Sequence, residues 1–362
     1  MAVQELAQTH IAGREDIFDA EKPFPFDIWR EMAKAGLLSM GLPSPYGGGL
    51  GYGAVMDALA AFVQAGRNLG LASVWLSQTL FGRLILAQSG NAAQQQRYLP
   101  ALAGGQMVAV SISEPNAGAH PKRLSATAER EGDHWVLNGE KAWITNGPIA
   151  DLYIILAISA RQGERKQFSA FLVQRETPGL IQTNAGSVDY LRPARHGGLS
   201  LQNCRIPLEN LLGPEGQAFE TISKPLREVE DVLGLAIGQG GRQAQLEGLA
   251  AALALSQTAV SDEQLGQLGA LQSDQAALRI LAASLAESLD TPADSDPAAA
   301  LLAARRMARQ FQEDFSCLLK SLQIPEKAEI SRLSRDLTKF ADLALNVDRA
   351  KEVKLGKSLI RF

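Results

Sequence analysis

Apolar positions recur at three- and four-residue spacing from Asp16 to about Gln106, in FDIWREMAKAGLL, AVMDALAAFVQAG, LASVWLSQTLFGRLILAQSG and AAQQQRYLPALAGG. That period predicts a series of helices. Gly36, Gly66, Gly90 and Gly104 stand near their ends, where a left-handed cap favours glycine. The period changes at Met107. MVAVSIS is short and β-branched, and WVLNGEKAWIT carries Asn138-Gly139 between two strand-like stretches, the strongest short hairpin signal. LYIILAI, FSAFLV and LSLQNCRIP continue the strand pattern to Pro207. From Glu215 the chain returns to helical patterns rich in Ala, Leu, Gln and Glu. Breaks at TPADSDP (Thr291 to Pro297) and at Ile324-Pro325 divide this region into four predicted helices, over residues 215–256, 262–289, 297–322 and 327–358. Their lengths suit a bundle that also supplies an oligomer interface. The expected fold is α+β: an N-terminal helical domain over 1–106, a middle β-sheet domain over 107–214 and a C-terminal four-helix bundle over 215–362.

Composition narrows the function classes. A chain of 362 residues suits two or three packed units of about 100–150 residues. With 46% apolar and 20% charged residues it belongs with ordered globular proteins. A net charge of −4 without a basic stripe gives counterion release no source, so nucleic acid is not an expected partner. Cys204 and Cys317 lie far apart and offer neither a disulfide framework nor metal-ligand spacing, which fits a reducing compartment. The start MAVQELAQTHIAGRED lacks a basic segment followed by an apolar stretch, and no run of about 18 apolar residues occurs. The expectation is a cytoplasmic protein with no membrane span.

Individual motifs are modest. PYGGGLGYG (Pro45 to Gly53) is glycine-rich, but no strand precedes it and no Gly-Lys-Ser/Thr follows, so it reads as an interhelical loop. SISEPNAG (Ser111 to Gly118) ends a predicted strand with hydroxyls, a carboxylate and glycine close together. Trp143-Ile144-Thr145-Asn146 on its own could be a well-packed strand. In order along one chain, however, strand, SEP loop and NGEKAWITNG resemble the middle domain of the acyl-CoA dehydrogenase family, where the equivalents read T-E-P-G-A-G-S-D and N-G-x-K-x-W-I-T-N. FPFDIWREMAKAGLLSMGLPSPYGGGLGYG and QQQRYLPALAGGQM are similar to its first domain, and LSLQNCRIPLENLLGPEGQAF to its strand leading into the first C-terminal helix. Residues 20 to 220 match well; the remainder matches only in helical pattern.

The resemblance implies an FAD-dependent oxidoreductase that dehydrogenates an acyl thioester across its α and β carbons. It assigns Thr145 to the neighbourhood of flavin N5, Trp143 to packing along the ring, and Ser113, in place of threonine, to the pyrimidine edge. Ser111, Gly118, Ala119, Ile144 and Gln323 are carried over as further cofactor contacts, with Ala119 and Asp231 at the substrate. The implied partners are an acyl-CoA or acyl-carrier thioester, an electron-transfer flavoprotein, and either a homodimer or homotetramer or a heteromer with a second dehydrogenase-like subunit.

Departures from the family pattern concentrate in the last third. Ala344 falls where most members carry the catalytic glutamate after an R-D pair, here Arg335-Asp336. Other members carry the base on the first C-terminal helix, and REVEDVLGLAIGQGG puts Glu230 there, followed by Asp231 instead of arginine. Glu230 is thus either the base or one carboxylate of a solvated acidic patch with Glu228 and Asp231. R-x-x-F-G, which reaches the FAD diphosphate of a neighbouring subunit, has become DEQLG (Asp262 to Gly266), and Q-I-x-G-G-x-G-Y survives only as Gln323-Ile324. Gly118-Ala119-His120 stands for G-S-D. These losses leave open a non-catalytic subunit whose partner supplies base and cofactor contacts, and also a flavin-free binding module.

Overall fold

The computed structural model describes residues 3–256, 259–291, 297–323 and 328–360. Contacts divide the chain into two compact units, one of residues 1–14, 51–72 and 231–362, the other of 15–50 and 73–230. Helices α1 (Val3–His10), α2 (Phe26–Lys34), α3 (Tyr52–Gly66) and α4 (Leu69–Leu80) come first. The chain then runs through a π-helical stretch (Phe81–Leu86) and α5 (Ala87–Ser89) to α6 (Ala92–Ala103). Asn91 and Gln94 form a capping box at the start of α6. The Gln94 amide also donates to the carbonyls of Glu209 (2.9 Å) and Leu211 (3.0 Å), tying the helix to the end of the sheet. Leu69–Ser89 is long and apolar enough to cross a membrane, and 89% of its most apolar window is buried inside the protein.

Of the four glycines expected to cap helices, Gly36 takes the left-handed conformation (φ 78°). Gly66 is instead the last residue of α3, where an added Cβ would come within 3.3 Å of Ala7 and Ile11 of the same unit. There the smallness of glycine matters, not its backbone freedom.

The sheet lies wholly within the unit of 15–50 and 73–230. Its strands are β1 (Val108–Ser111), β2 (Thr127–Glu131), β3 (His134–Thr145), β4 (Leu152–Gln162), β5 (Arg165–Gln174), β6 (Leu180–Thr183), β7 (His196–Pro207) and β8 (Leu211–Leu212). Their order is β6-β7-β3-β2-β4-β5-β8, with β1 parallel to β4. Residues Leu152 to Ile158 of β4 are all buried, which is why that strand reads as an unbroken apolar run and not as an alternation. Trp135, Tyr153, Phe171 and Leu199 belong to one core cluster, with Trp135 and Phe171 edge to face at 5.1 Å.

The hairpin expected at Asn138-Gly139 forms elsewhere. The β2–β3 turn is Gly132-Asp133, with Gly132 at φ 61°, while Asn138 and Gly139 lie inside β3 at an irregularity in its pairing with β7. Asn138 Oδ1 accepts the Asn203 N–H (2.8 Å), and Gly139 has φ 135°. Such a dipeptide serves a bulge for the same reason that it serves a turn: both need backbone that β-substituted residues resist.

The other unit is helical. It holds α1, α3 and the remainder of α7 (Lys224–Ser256) from Asp231, then α8 (Asp262–Asp290), α9 (Ala298–Leu322), α10 (Ala328–Asp342) and α11 (Leu345–Ile360). The predicted last helix is two helices with a turn at Leu343-Ala344. Residues 292–296 of the TPADSDP break, and Ile324-Pro325, lie outside the described residues. Leu249, Leu271, Phe311 and Phe315 centre the helical core, the two phenyl rings stacked at 6.2 Å.

At Gly139 a Cβ would fall 2.7 Å from the Ala126 Cα and Cβ, on backbone that L side chains avoid. Gly139→Ala is expected to lower unfolding free energy by about 2–3 kcal/mol in a urea titration, while Gly132→Ala, whose Cβ meets nothing within 4 Å, loses only the smaller backbone term.

Candidate active site

A cleft of about 150 Å³ lies within the sheet-bearing unit. Ser113 and Ala119 of the SEP loop and Ala142, Trp143 and Thr145 of β3 line it. Phe81, Val110 and Ile112 make an apolar wall, and Ser223, Leu226, Arg227 and Glu230 complete it. The two predicted motifs therefore meet at one place. Phe81 opens one π-helical stretch and Ser223 closes another (Phe219–Ser223), so both flanks depart from regular α-helix where they meet the cleft.

The exposure of Trp143 follows from the strand that carries it. Between Lys141 and Ile144 the pairing of β3 with β7 shifts register, and the bulge turns the side chains out of simple alternation. Ala142 and Ile144 are 1% exposed, whereas Trp143 is 55% exposed at φ 61°. A bulky residue in left-handed backbone persists only where its surroundings dictate it. Those surroundings include the Ala185 carbonyl, which accepts the Trp143 N–H (3.3 Å), and Gly186, where a Cβ would lie 2.4 Å from the Trp143 nitrogen.

The SEP loop is fixed to this bulge by a buried ion pair. Lys141 Nζ donates to Glu114 Oε1 (3.1 Å) and to the Ile112 carbonyl (3.1 Å). Glu114 also accepts the Ser125 N–H (2.8 Å), the Ser125 hydroxyl (2.7 Å) and the Ala126 N–H (3.0 Å). Burial by itself would raise the Glu114 pKa, but the Lys141 charge and these donors hold it below the ordinary carboxylate value. Burial draws the Lys141 ammonium below the ordinary lysine value against the attraction of Glu114. The Ala142 N–H donates to the Ser113 carbonyl (3.0 Å), so the two cleft segments are also bonded through backbone.

Ser113, Ala119, Trp143, Thr145 and Glu230 are thus brought together. The other candidate residues are placed elsewhere. Ile144 packs in the sheet core, and Ser111 is fully buried, its hydroxyl oxygen lacking a hydrogen-bond partner among the described residues. Gly118 closes the SEP loop through its bridge to Glu114. Gln323 caps α9 in left-handed backbone, in the helical unit. Asp231, expected at the substrate, is committed to ion pairs with Arg305 (2.6 Å) and Lys351 (3.2 Å). Arg305 and Arg309 also hold the buried Asp348, so the patch that read as solvated carboxylates includes a structural ion cluster. Glu230 itself is exposed.

Two neighbours escaped the sequence reading. Arg227 precedes Glu230 by three residues, a spacing that puts both on one helical face, and helical periodicity alone could have found it. His196 lies opposite Thr145 in the β3–β7 pairing, with Nε2 3.2 Å from the Thr145 hydroxyl. Fifty residues of intervening chain hid that contact.

Residues 1–106 match the family model "Acyl-CoA dehydrogenase, N-terminal domain", and residues 109–204 match "Acyl-CoA dehydrogenase, middle domain", together more than half of the chain. The chain belongs to the acyl-CoA dehydrogenase family. It is 32% identical to isovaleryl-CoA dehydrogenase, mitochondrial, of Pongo abelii over 230 residues, 62% of this chain and 54% of that protein. It is also 32% identical to the acyl-CoA dehydrogenase of Bacillus subtilis (strain 168) over 253 residues, 69% of this chain and 64% of that protein. The matched segment therefore spans less than two thirds of either relative. Over nearly the whole chain the fold resembles that of butyryl-CoA dehydrogenase from Megasphaera elsdenii, with a TM-score of 0.84 at 22% identity, covering 99% of this chain and 97% of that one. Within this member of the family, Ala344 occupies the turn between α10 and α11, with no carboxylate of its own to offer.

Removing one partner of the buried pair strands the other charge. Lys141→Met is expected to destabilise the protein by about 3–5 kcal/mol in chemical unfolding, and Lys141→Met with Glu114→Leu to recover much of that loss. Because Glu114 titrates below its unfolded value of 4.5, the unfolded chain binds the extra proton first, so its contribution is present above that pH and disappears as pH falls through the folded pKa. Stability measured against pH should flatten in that acid window in Glu114→Gln.

Proposed function

We propose that this chain is a flavin-dependent acyl-thioester dehydrogenase whose cleft holds the isoalloxazine ring of FAD against the acyl chain. The observation that carries this reading is the convergence of Trp143, Thr145 and Ser113 with Glu230 on one cleft. The residues fit such a ring. An indole turned outward by left-handed backbone offers an aromatic face, two hydroxyls offer hydrogen bonds to heteroatoms, and Val110, Ile112 and Phe81 exclude water around them. When bound, FAD would supply the two-electron acceptor for the hydride leaving the β-carbon of the thioester, while the α-hydrogen leaves as a proton.

The chain's own residues do the rest. Trp143 orients the ring, Thr145 and Ser113 fix its polar edge, and Glu230 takes the α-proton. Arg227, three residues earlier on the same helical face, also lines the cleft. An acyl-CoA or acyl-carrier thioester is the substrate class, and an electron-transfer flavoprotein the electron acceptor. The test is purified protein titrated with FAD and then with a panel of acyl-CoAs, following bleaching of the flavin band. Thr145→Val is expected to weaken FAD binding roughly tenfold, the worth of one lost hydrogen bond. Glu230→Gln is expected to retain FAD and to slow bleaching by about 10²–10⁴. Full activity in Glu230→Gln would remove Glu230 from the mechanism, and protein that stays colourless in excess FAD would remove the function.

A second reading is favoured by Ala344 and by the acidic, cation-free DEQLG at Asp262 to Gly266: a subunit that shares its flavin with a second dehydrogenase-like chain carrying R-x-x-F-G and E-G-T. Here FAD would be retained only after mixing with that chain, whereas a yellow, active homo-oligomer supports the first reading.

A further inference from the structure

We propose that His196 is a positioning residue for the flavin site, fixing through one hydrogen bond the direction in which the Thr145 hydroxyl faces the cleft. The inference rests on the proposed flavin contact of Thr145 and deepens it.

His196 opens β7 directly opposite Thr145, the last residue of β3. Nε2 stands 3.2 Å from the Thr145 oxygen, and Nδ1 is buried with no hydrogen-bond partner among the described residues. Among the described residues, that hydroxyl is thus the imidazole's hydrogen-bonding partner. Strand pairing alone does not require such an arrangement, since an apolar side chain would fill the position without leaving a ring nitrogen unmatched. Asn146, the next residue after Thr145, is likewise fully buried, with both side-chain amide atoms unmatched among the described residues.

Burial, reinforced by the nearby Arg192 charge, lowers the His196 pKa to about 4. The ring is therefore neutral at ordinary pH and offers one donor and one acceptor nitrogen. A threonine hydroxyl rotates freely and has one hydrogen to give. If Nε2 donates to it, that hydrogen is left for an acceptor in the cleft; if Nε2 accepts it, the lone pairs are left for a donor. In either tautomer the imidazole selects one orientation and removes the others, which lowers the ordering loss when a ligand heteroatom binds there. His196 does not line the cleft, and so acts only through Thr145.

The experiment is a double-mutant cycle on the full chain, with FAD affinity read by flavin fluorescence and the flavin midpoint potential measured alongside. His196→Phe keeps a ring of similar size and removes both nitrogens. It is expected to weaken FAD roughly three- to tenfold and to shift the potential, while His196→Gln, which restores an amide near Nε2, recovers part of both. In a Thr145→Val background His196→Phe should have no further effect. Equal effects in both backgrounds, or none in the wild-type background, would overturn the inference. Should His196→Phe not fold, selective histidine labelling supplies the second measurement. The His196 ring ¹⁵N shifts should move on adding FAD to the wild type and stay still in Thr145→Val, and shifts that ignore FAD would overturn the proposal. Thr145→Val binding FAD as tightly as wild type would instead remove the Thr145 contact on which the inference stands. Weakened binding in Thr145→Val with His196 inert removes only the role of His196.

Discussion

Everything at the cleft depends on a lysine and a glutamate held out of water. Lys141 is 1% exposed and Glu114 4%, so each has given up its hydration and has little but the other, with a few backbone and hydroxyl dipoles, to replace it. A pair of this kind adds little net stability compared with a well-packed apolar pair, because desolvation consumes most of the attraction. What it does is exclude alternatives. If β3 slid by one residue, the ammonium would leave the carboxylate stranded, and if the SEP loop lifted, the carboxylate would leave the Ser125 and Ala126 amides unmatched. The pair therefore enforces the one arrangement in which Ser113 and Thr145 share a cavity.

Much of this architecture was legible in the residues. The change of period at Met107, the apolar run LYIILAI and the motif pair around Ser113 and Thr145 correspond to β1, β4 and the cleft. What escaped was mostly long-range pairing. Glu114 reads as one more polar residue at a strand end until β3 brings Lys141 beside it, and His196 gives no sign of Thr145 until β7 pairs with β3. Asn138-Gly139 misled for a different reason: the same backbone latitude serves a hairpin and a bulge, and only the neighbouring strand decides between them. The ion pairs of Asp231 were hidden because its partners, Arg305 and Lys351, come from helices more than seventy residues away.

The helical unit uses polar burial differently. Arg242 is deeply buried, with its Nε donating to Gln275 (2.9 Å) and its guanidinium 5.8 Å from the centre of the Phe311 ring, and burial lowers its pKa to about 10. Gln245 and Gln312 exchange amide hydrogen bonds close by in sequence terms, on the same two helices, α7 and α9. Among the described residues, these contacts hold a cation by dipoles and an aromatic face without a paired carboxylate. They set the phase of α7 against its neighbours within that unit, much as the ion pair sets the phase of β3.

The outward turn of Trp143 is made by a bulge, and a bulge is a matter of counting. Between Lys141 and Ile144 β3 takes three steps where β7 takes two from Leu199 to Gly197, so shortening β3 by one residue there would restore regular pairing and remove the bulge that turns the indole outward. A homologue could replace several letters of this segment and keep its chemistry, yet lose it altogether through a single-codon deletion that left every recognisable residue in place. Spacing, in this corner of the molecule, is the heritable quantity.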